Sequence, residues 1–167
     1  MRRVWLLVLL MLPGIALAQQ PQDFSKIEVK VTKVAGNVYM LQGSGGNIAA
    51  SIGSDGIFMV DAEYAPLGDK ILATYQGLAP GKKVHFLINT HYHTDHTGGN
   101  VFWGEHGAVI IDQTNIRKRL ADGGVGGTGS VQFKQPPQPA AALPVITFDH
   151  HITVYFNGEP IEATHYP

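Results

Sequence analysis

The sequence predicts an α/β layered domain, and three features of the chain support that class. In the first part, apolar and polar residues alternate through several short segments, as they do in half-buried strands. Two later segments, 56–60 and 84–90, are nearly continuous apolar runs, which suit strands that are covered on both faces. From there onward, strand patterns and helix patterns follow one another in turn. This order favours a sheet with helices packed against it.

The first strands are predicted from residue alternation and from the turn signals between them. From Ile27 to Val31 the apolar residues alternate with charged ones, which predicts a half-buried strand. Turn residues follow at 35–37 and 43–46, and the connection 53–56 is expected to close a β-hairpin. The other strands of this part are predicted at 38–41, 47–52 and 56–60.

In the second part, the apolar period changes from two to that of a helix. Apolar residues recur at spacings of three and four between Leu67 and Tyr75, which predicts an amphipathic helix over 66–77. The later segments are predicted as a strand at 84–90, a short helix after Gly98–Gly99, a strand at 108–112, a helix at 113–120, and strands at 145–149 and from 151 onward, with Asn157–Gly158 as a hairpin turn.

Residues 122–142 differ from their surroundings because they are rich in glycine and proline and lack apolar periodicity. At about 20 residues, the segment is longer than most loops of a compact domain. We predict a flexible surface insertion. A mobile flap beside an active site is the alternative.

The first eighteen residues have the pattern of an export signal. Arg2 and Arg3 precede an apolar run over 4–12, and Ala16–Ala18 supplies the small residues that a signal peptidase recognises. The run is shorter than the roughly 20 residues that a membrane span needs. We therefore predict cleavage near Ala18 and a periplasmic or secreted protein, with the domain over 24–167. A retained membrane anchor is the alternative.

Composition narrows the possible partners and ligands. Without residues 1–18 the chain keeps ten of its twelve Lys and Arg residues against thirteen Asp and Glu. This mild acidity gives no basis for a nucleic-acid or anionic-lipid partner, and no membrane association is expected after signal cleavage. The chain has no cysteine, so a metal site would have to use nitrogen and oxygen ligands.

Three histidines and one aspartate lie within six residues, in the stretch INTHYHTDHTGGN. His91 and His93 stand two apart where a strand is predicted to end, so both side chains are expected to leave the same face. Two imidazoles directed at one point are half of a tetrahedral zinc site, and Asp95 with His96 suggests a second metal position nearby. A metal-bound water ionises near neutral pH. A polar loop whose histidines bond to one another or to solvent is the alternative.

The stretch HYHTDH matches the H-x-H-x-D-H signature, and in this respect the chain resembles the metallo-β-lactamase superfamily. The resemblance implies an αββα sandwich that usually binds two zinc ions at one edge. His91 and His93 would bind the first zinc, Asp95 and His96 would bind the second, and Asp95 could hold the attacking water. Asp61, at the end of an apolar strand, would orient a ligand. A plain turn aspartate is the alternative, and iron or manganese also suits these ligands.

The chain departs from that family in its later ligands. Members complete the first metal with a histidine in an H-T-x-G-D-like stretch, and a bridging aspartate and a last histidine follow. The tail EATHYP resembles the strand that leads into this stretch, so we expect the amino-terminal part of the domain, truncated before the third ligand. His165 lies in this leading strand, where the resemblance implies a residue that is not a ligand; a substitute for the missing third histidine is the alternative. Surface or structural roles are expected for His85, His106, His150 and His151.

Together these features predict an exported zinc-dependent hydrolase. In such an enzyme a metal-bound hydroxide attacks an ester, amide or thioester carbonyl of a small-molecule substrate, and a β-lactam is one option because the fold does not fix the substrate. The alternative is an inactive fragment, or a non-catalytic exported metal-binding module, because the remaining ligands are absent from the sequence.

Overall fold

A seven-stranded mixed sheet forms the centre of the fold. The computed structural model describes residues 22–128 and 131–166, so the predicted export signal lies outside the described residues. In chain order, the strands are β1 (Lys30–Ala35), β2 (Val38–Gln42), β3 (Asn47–Gly53), β4 (Gly56–Val60), β5 (Val84–Ile88), β6 (Val109–Gln113), β7 (Gly124–Thr128), β8 (Val131–Gln135), β9 (Ile146–Phe148), β10 (His151–Phe156) and β11 (Glu159–Thr164).

The helices are short and lie between the strands of the second half. They are α1 (Gly68–Leu78), α2 (Thr94–Thr97), α3 (Asn100–Glu105) and α4 (Thr114–Asp122), with 3-10 helices at Phe24–Lys26, Ala65–Leu67 and Ala140–Ala142. Across the part of the chain that the structure describes, none of the helices has the length and apolar character that a membrane crossing requires.

The sheet changes from antiparallel to parallel pairing at β4. Its strand order is β1-β2-β3-β4-β5-β6-β9. β1 to β4 form consecutive antiparallel hairpins, whereas β5, β6 and β9 add to β4 in parallel. Two separate hairpins, β7–β8 and β10–β11, complete the described strands. The predicted α/β layered class is confirmed, because the parallel strands are connected through helices as such sheets require.

The two faces of the sheet pack against different elements. Ile57 and Met59 of β4 point to the face that is covered by Tyr75 of α1 and Trp103 of α3. Phe58, one position along β4, points to the opposite face and contacts the β10–β11 hairpin. This alternation follows from the two-residue period of a strand. It explains why β4 is apolar along its whole length.

The first predicted strand is displaced in the structure. Phe24–Lys26 forms a 3-10 helix, and the hydrogen-bonded strand begins only at Lys30. Ile27 and Val29 still pack against the core, so the alternation correctly predicted burial but not strand pairing. The reason is Lys70, whose ammonium group donates to the carbonyls of Phe24, Ser25 and Ile27 and so engages them outside the sheet.

Part of the segment 122–142, which is predicted as a flexible surface insertion, forms two short strands. β7 and β8 pair as an antiparallel hairpin, with Gly124 opposite Gln135 and Thr128 opposite Val131. Ala142 is buried near α3, where its carbonyl accepts a hydrogen bond from Asn100. Backbone pairing needs no apolar side chains, which is why a periodicity search missed these strands. The flexibility of the segment stays a prediction.

Candidate metal centre

The histidine motif lies beyond the carboxyl ends of β4 and β5, which are neighbouring central strands of the sheet. β5 ends at Ile88, so His91 and His93 lie in the following loop, not at the end of a strand as predicted. Ile88 accepts a hydrogen bond from the backbone N–H of Asp61, which ties the ends of the two strands together (2.8 Å). The short helix α2 then turns the chain back, with His93 at its N-cap.

Three of the four predicted ligands form one compact group. His91, Asp95 and His96 each offer a ligand atom, and these atoms lie within 4.8 Å of one another. The fourth predicted ligand, His93, lies beside His91 with its Nδ1 atom 3.1 Å from His91 Nε2. The rings of His91 and His96 are also close, with centroids 4.0 Å apart. The structure thus brings all four side chains into one cluster, in which His91 is central.

The donor chemistry of this cluster fits a divalent metal ion. Imidazole nitrogen and carboxylate oxygen are ordinary zinc ligands. Burial lowers the pKa of His91, and the neighbouring His96 and His93 lower it further because a charged imidazolium would be repelled there. His91 is therefore held in its neutral form near pH 7. Neutral imidazole carries the lone pair that a metal ion requires.

Asp61 lies directly behind the cluster. Its buried carboxylate accepts hydrogen bonds from the backbone N–H of Thr90 (2.7 Å) and from the Thr90 hydroxyl (2.8 Å). Asp61 Oδ2 also lies 2.9 Å from His96 Nδ1. The other ring nitrogen, His96 Nε2, faces Asp95 at 3.5 Å. The Asp61 contact lacks hydrogen-bond geometry, so it places a negative charge beside Nδ1, while Nε2 is the nitrogen that faces Asp95.

A buried network of polar side chains connects the end of β5 to the backbone of the motif. The Asn89 backbone N–H donates to Asp112 Oδ1 (2.6 Å), and the Asn89 side chain donates to the carbonyl of His96 (2.9 Å). Asn89 also exchanges hydrogen bonds with the Asn100 side chain. Burial raises the pKa of Asp112 well above its ordinary value. Sequence reasoning missed this network, although polar residues inside apolar runs were a usable signal.

A second omission from the sequence prediction concerns Glu63 and the loop 43–46. Glu63 is buried and bonds to that loop, which packs on Asp95 and His96. The usable signals were a second acidic residue two positions after Asp61 and a run of glycines between two strands. Neither signal indicated that the two segments meet.

The remaining histidines lie away from the cluster, with one exception. His85, His106, His150 and His151 are exposed, and this includes His85 although it lies within the otherwise apolar strand β5. His165 is half-buried and donates its backbone N–H to His150. It shares with His91 a cavity of about 770 Å³ between the sheet and the β10–β11 hairpin.

Comparison with known protein families assigns the chain to one of them. A family model described as the metallo-beta-lactamase superfamily matches residues 31–166. The chain belongs to this superfamily. The resemblance carried by HYHTDH is thereby confirmed, and so is the fold class, because the mixed sheet with its helices matches the superfamily's αββα architecture.

Solved structures of superfamily members agree in fold at low sequence identity. A class B3 di-zinc metallo-beta-lactamase from an Alaskan soil metagenome has a TM-score of 0.69 and 20% identity, over 90% of this chain and 56% of that one. A subclass B3 enzyme of Bradyrhizobium japonicum has a TM-score of 0.68 and 20% identity, over 84% and 53%. A metallo-beta-lactamase of Cronobacter sakazakii has a TM-score of 0.65 and 16% identity, over 78% and 50%. The chain spans about half the length of these structures.

Proposed function

We propose that this chain carries the zinc-binding motif of an exported hydrolase of the metallo-β-lactamase superfamily. The observation that carries the proposal is the grouping of His91, Asp95 and His96, whose ligand atoms lie within 4.8 Å of one another beyond the carboxyl ends of β4 and β5. The match to the superfamily over residues 31–166 supports the hydrolase class.

We assign the four motif residues to two metal positions. His91 and His93 would hold one zinc ion, and their ring nitrogens already approach to 3.1 Å. Asp95 and His96 would hold a second ion, and their ligand atoms approach to 3.5 Å. The contact between Asp61 and His96 Nδ1 supports an orienting role for Asp61, because it directs His96 Nε2 toward Asp95.

The chemistry follows from the charges and donors of these residues. Zinc, when bound, lowers the pKa of a coordinated water so that hydroxide is available near neutral pH. Asp95 would accept a hydrogen bond from the attacking water and so orient it toward an ester, amide or thioester carbonyl. The neutral state of His91 keeps its nitrogen available without a proton to displace. β-Lactams are one substrate class to test, because the solved relatives include metallo-beta-lactamases.

Residues 1–18 support export to the periplasm or beyond through their charge and apolar pattern. A small-molecule substrate is the class that the superfamily match supports.

The decisive experiment is zinc-dependent hydrolysis by the purified chain of a panel of β-lactams, lactones and thioesters. His91→Ala should abolish turnover, because His91 is central to the cluster, and a chelator should do the same. His151→Ala is the matched control: it removes an exposed histidine of the β10–β11 hairpin and should leave the rate unchanged. Equal rates in the wild type and in His91→Ala would contradict the proposal.

A second candidate is an exported metal-binding module without catalysis. It is favoured by the fact that one short segment of six residues, 91–96, supplies the whole cluster. Zinc affinity that is lost in His91→Ala, with no member of the panel hydrolysed, would favour this candidate.

A further inference from the structure

The loop Gly43–Gly46, between β2 and β3, packs directly on two of the candidate ligands. A Cβ atom at Gly45 would lie only 2.6 Å from Asp95 Cβ, and one at Gly46 would meet the ring of His96. Only glycine allows the backbone to approach these side chains so closely. The loop therefore forms one wall of the cluster and restricts how Asp95 and His96 can move.

Glu63 holds this loop in place. Its carboxylate accepts hydrogen bonds from the backbone N–H groups of Ser44 (2.9 Å) and Gly45 (3.0 Å to each oxygen). The side chain is 1% exposed, so these bonds compensate for the loss of hydration of a charged group. Hydrogen bonds to a charged acceptor are also stronger than neutral ones.

The backbone around Glu63 is bonded to the motif from the other side. The Glu63 carbonyl accepts a hydrogen bond from Gly99 (2.9 Å), and the neighbouring Ala62 N–H donates to the carbonyl of His96 (2.7 Å). Glu63 also has a positive φ of 58°, which is uncommon for a residue with a side chain. This conformation places the carbonyl on the motif while the carboxylate reaches the glycine loop.

We propose that Glu63 is a positioning residue of the metal centre: it clamps the loop Gly43–Gly46 against Asp95 and His96 and so fixes these ligands for zinc. Glu63 itself does not contact the ligands and acts through the loop. The inference rests on the proposed function, because it assumes that Asp95 and His96 bind zinc.

Zinc affinity, measured with a competing chelator, tests the proposal independently of turnover. Glu63→Gln places an amide NH₂ where N–H donors now meet an oxygen, so the loop should loosen and zinc should bind about 10- to 100-fold more weakly. Gly45→Ala pushes the loop away from Asp95 and should have a similar effect. Because both changes act through the same loop, the double variant should lose less than the product of the two single losses.

A matched control separates positioning from general stability. Asn157→Ala removes hydrogen bonds at the opposite end of β4, far along the chain from the motif, and should lower the thermal stability of the metal-free protein. Its zinc affinity should stay within about twofold of the wild type, since it does not contact the loop or the ligands.

The outcomes distinguish this inference from the proposed function. Wild-type zinc affinity that is unaltered in His91→Ala would overturn the proposed function itself. Tight zinc binding by the wild type that is retained in Glu63→Gln, or fully multiplicative losses in the double variant, would overturn only the role of Glu63. If the Gln variant does not fold, Glu63→Asp gives the same test, because it keeps the charge but shortens its reach.

Discussion

At the residue scale, three buried carboxylates hold the loops around the motif. Asp61 accepts from the backbone of Thr90, Glu63 from the loop Gly43–Gly46, and Asp112 from Asn89. In each case the donor is a backbone N–H of a loop next to a strand end. Such donors would otherwise need water or another buried acceptor. The loops of the candidate site are therefore fixed largely by side-chain acceptors.

Asp112 should make stability depend on pH. Its folded-state pKa is raised by burial, so the protein favours the neutral acid, and stability is lost as pH rises from the unfolded pKa of 3.8 through the folded value. Asp112→Asn stays neutral and retains the acceptor for Asn89. Urea unfolding should therefore give similar free energies of unfolding near pH 4, and an advantage on the order of 1 kcal/mol or more for the variant near pH 7.

One outcome would contradict a raised pKa for Asp112 in the folded protein. A constant difference between the wild type and Asp112→Asn from pH 4 to 8 would show that the carboxyl group has the same pKa in the folded and unfolded chain.

The motif residues could be predicted from the sequence, but Glu63 could not. His91, His93, Asp95 and His96 are close in sequence, so proximity in the chain already implies proximity in space. The Glu63 carboxylate accepts from the backbone N–H groups of Ser44 and Gly45, which lie 19 and 18 positions earlier in a glycine-rich loop. Every residue except proline carries a backbone N–H donor, so residue identity does not show which donors Glu63 contacts. Only the fold reveals that contact.

At the element scale, the β10–β11 hairpin is attached to the sheet through its turn. The Asn157 side chain donates to the carbonyls of Ser51 (3.2 Å) and Gly56 (3.2 Å) and accepts from the backbone of Asp55 (3.0 Å). Asp55 returns the contact by accepting from the Asn157 backbone N–H (2.7 Å). One turn residue thus connects two hairpins that are about 100 positions apart in the sequence.

Substitutions at Asn157 should separate side-chain bonding from backbone conformation. Asn157 has a positive φ of 53°, which asparagine and glycine tolerate better than alanine. Asn157→Ala loses the hydrogen bonds and also strains the backbone, so we expect a loss of about 2–3 kcal/mol in the free energy of unfolding. Asn157→Gly should cost about 1 kcal/mol less. Equal losses in urea unfolding would contradict a contribution from the backbone.

Most elements were predictable because their apolar period matches their burial. The β3–β4 hairpin and the strands β5, β6 and β9 are confirmed within a few residues, and so are α1 and α4. The prediction was wrong at Ile27–Val29, where burial and hydrogen bonding diverge, and it did not include β7, a strand that consists mainly of glycine. In both places the backbone makes contacts that side-chain periodicity does not record.

At the scale of the whole molecule, the two faces of the sheet are covered unequally. The face under α1 and α3 is closed, and Ile57 is fully buried there. The other face is covered by the β10–β11 hairpin over a cavity of about 770 Å³, which Ile161 lines. An apolar side chain beside such a cavity makes fewer contacts, and its loss leaves less new empty space.

Matched truncations should reveal this asymmetry. Ile57→Ala creates a cavity in close-packed surroundings and should lower the free energy of unfolding by about 3–4 kcal/mol. Ile161→Ala enlarges an existing cavity and should cost about 1–2 kcal/mol. Both changes remove the same atoms from a strand, so urea unfolding compares their surroundings alone. Equal costs would mean that the hairpin face is as closely packed as the helix face.

The β10–β11 hairpin is held at both of its ends. Asn157 fixes the turn, and only Asp149 and His150 separate the start of β10 from β9 of the central sheet. From Asn157, the two strands extend for six residues each, about 20 Å, toward His165 at the cavity that His91 also lines. Because both ends are tethered, the gap beside the histidine cluster should keep its width when the Asn157 hydrogen bonds alone are lost.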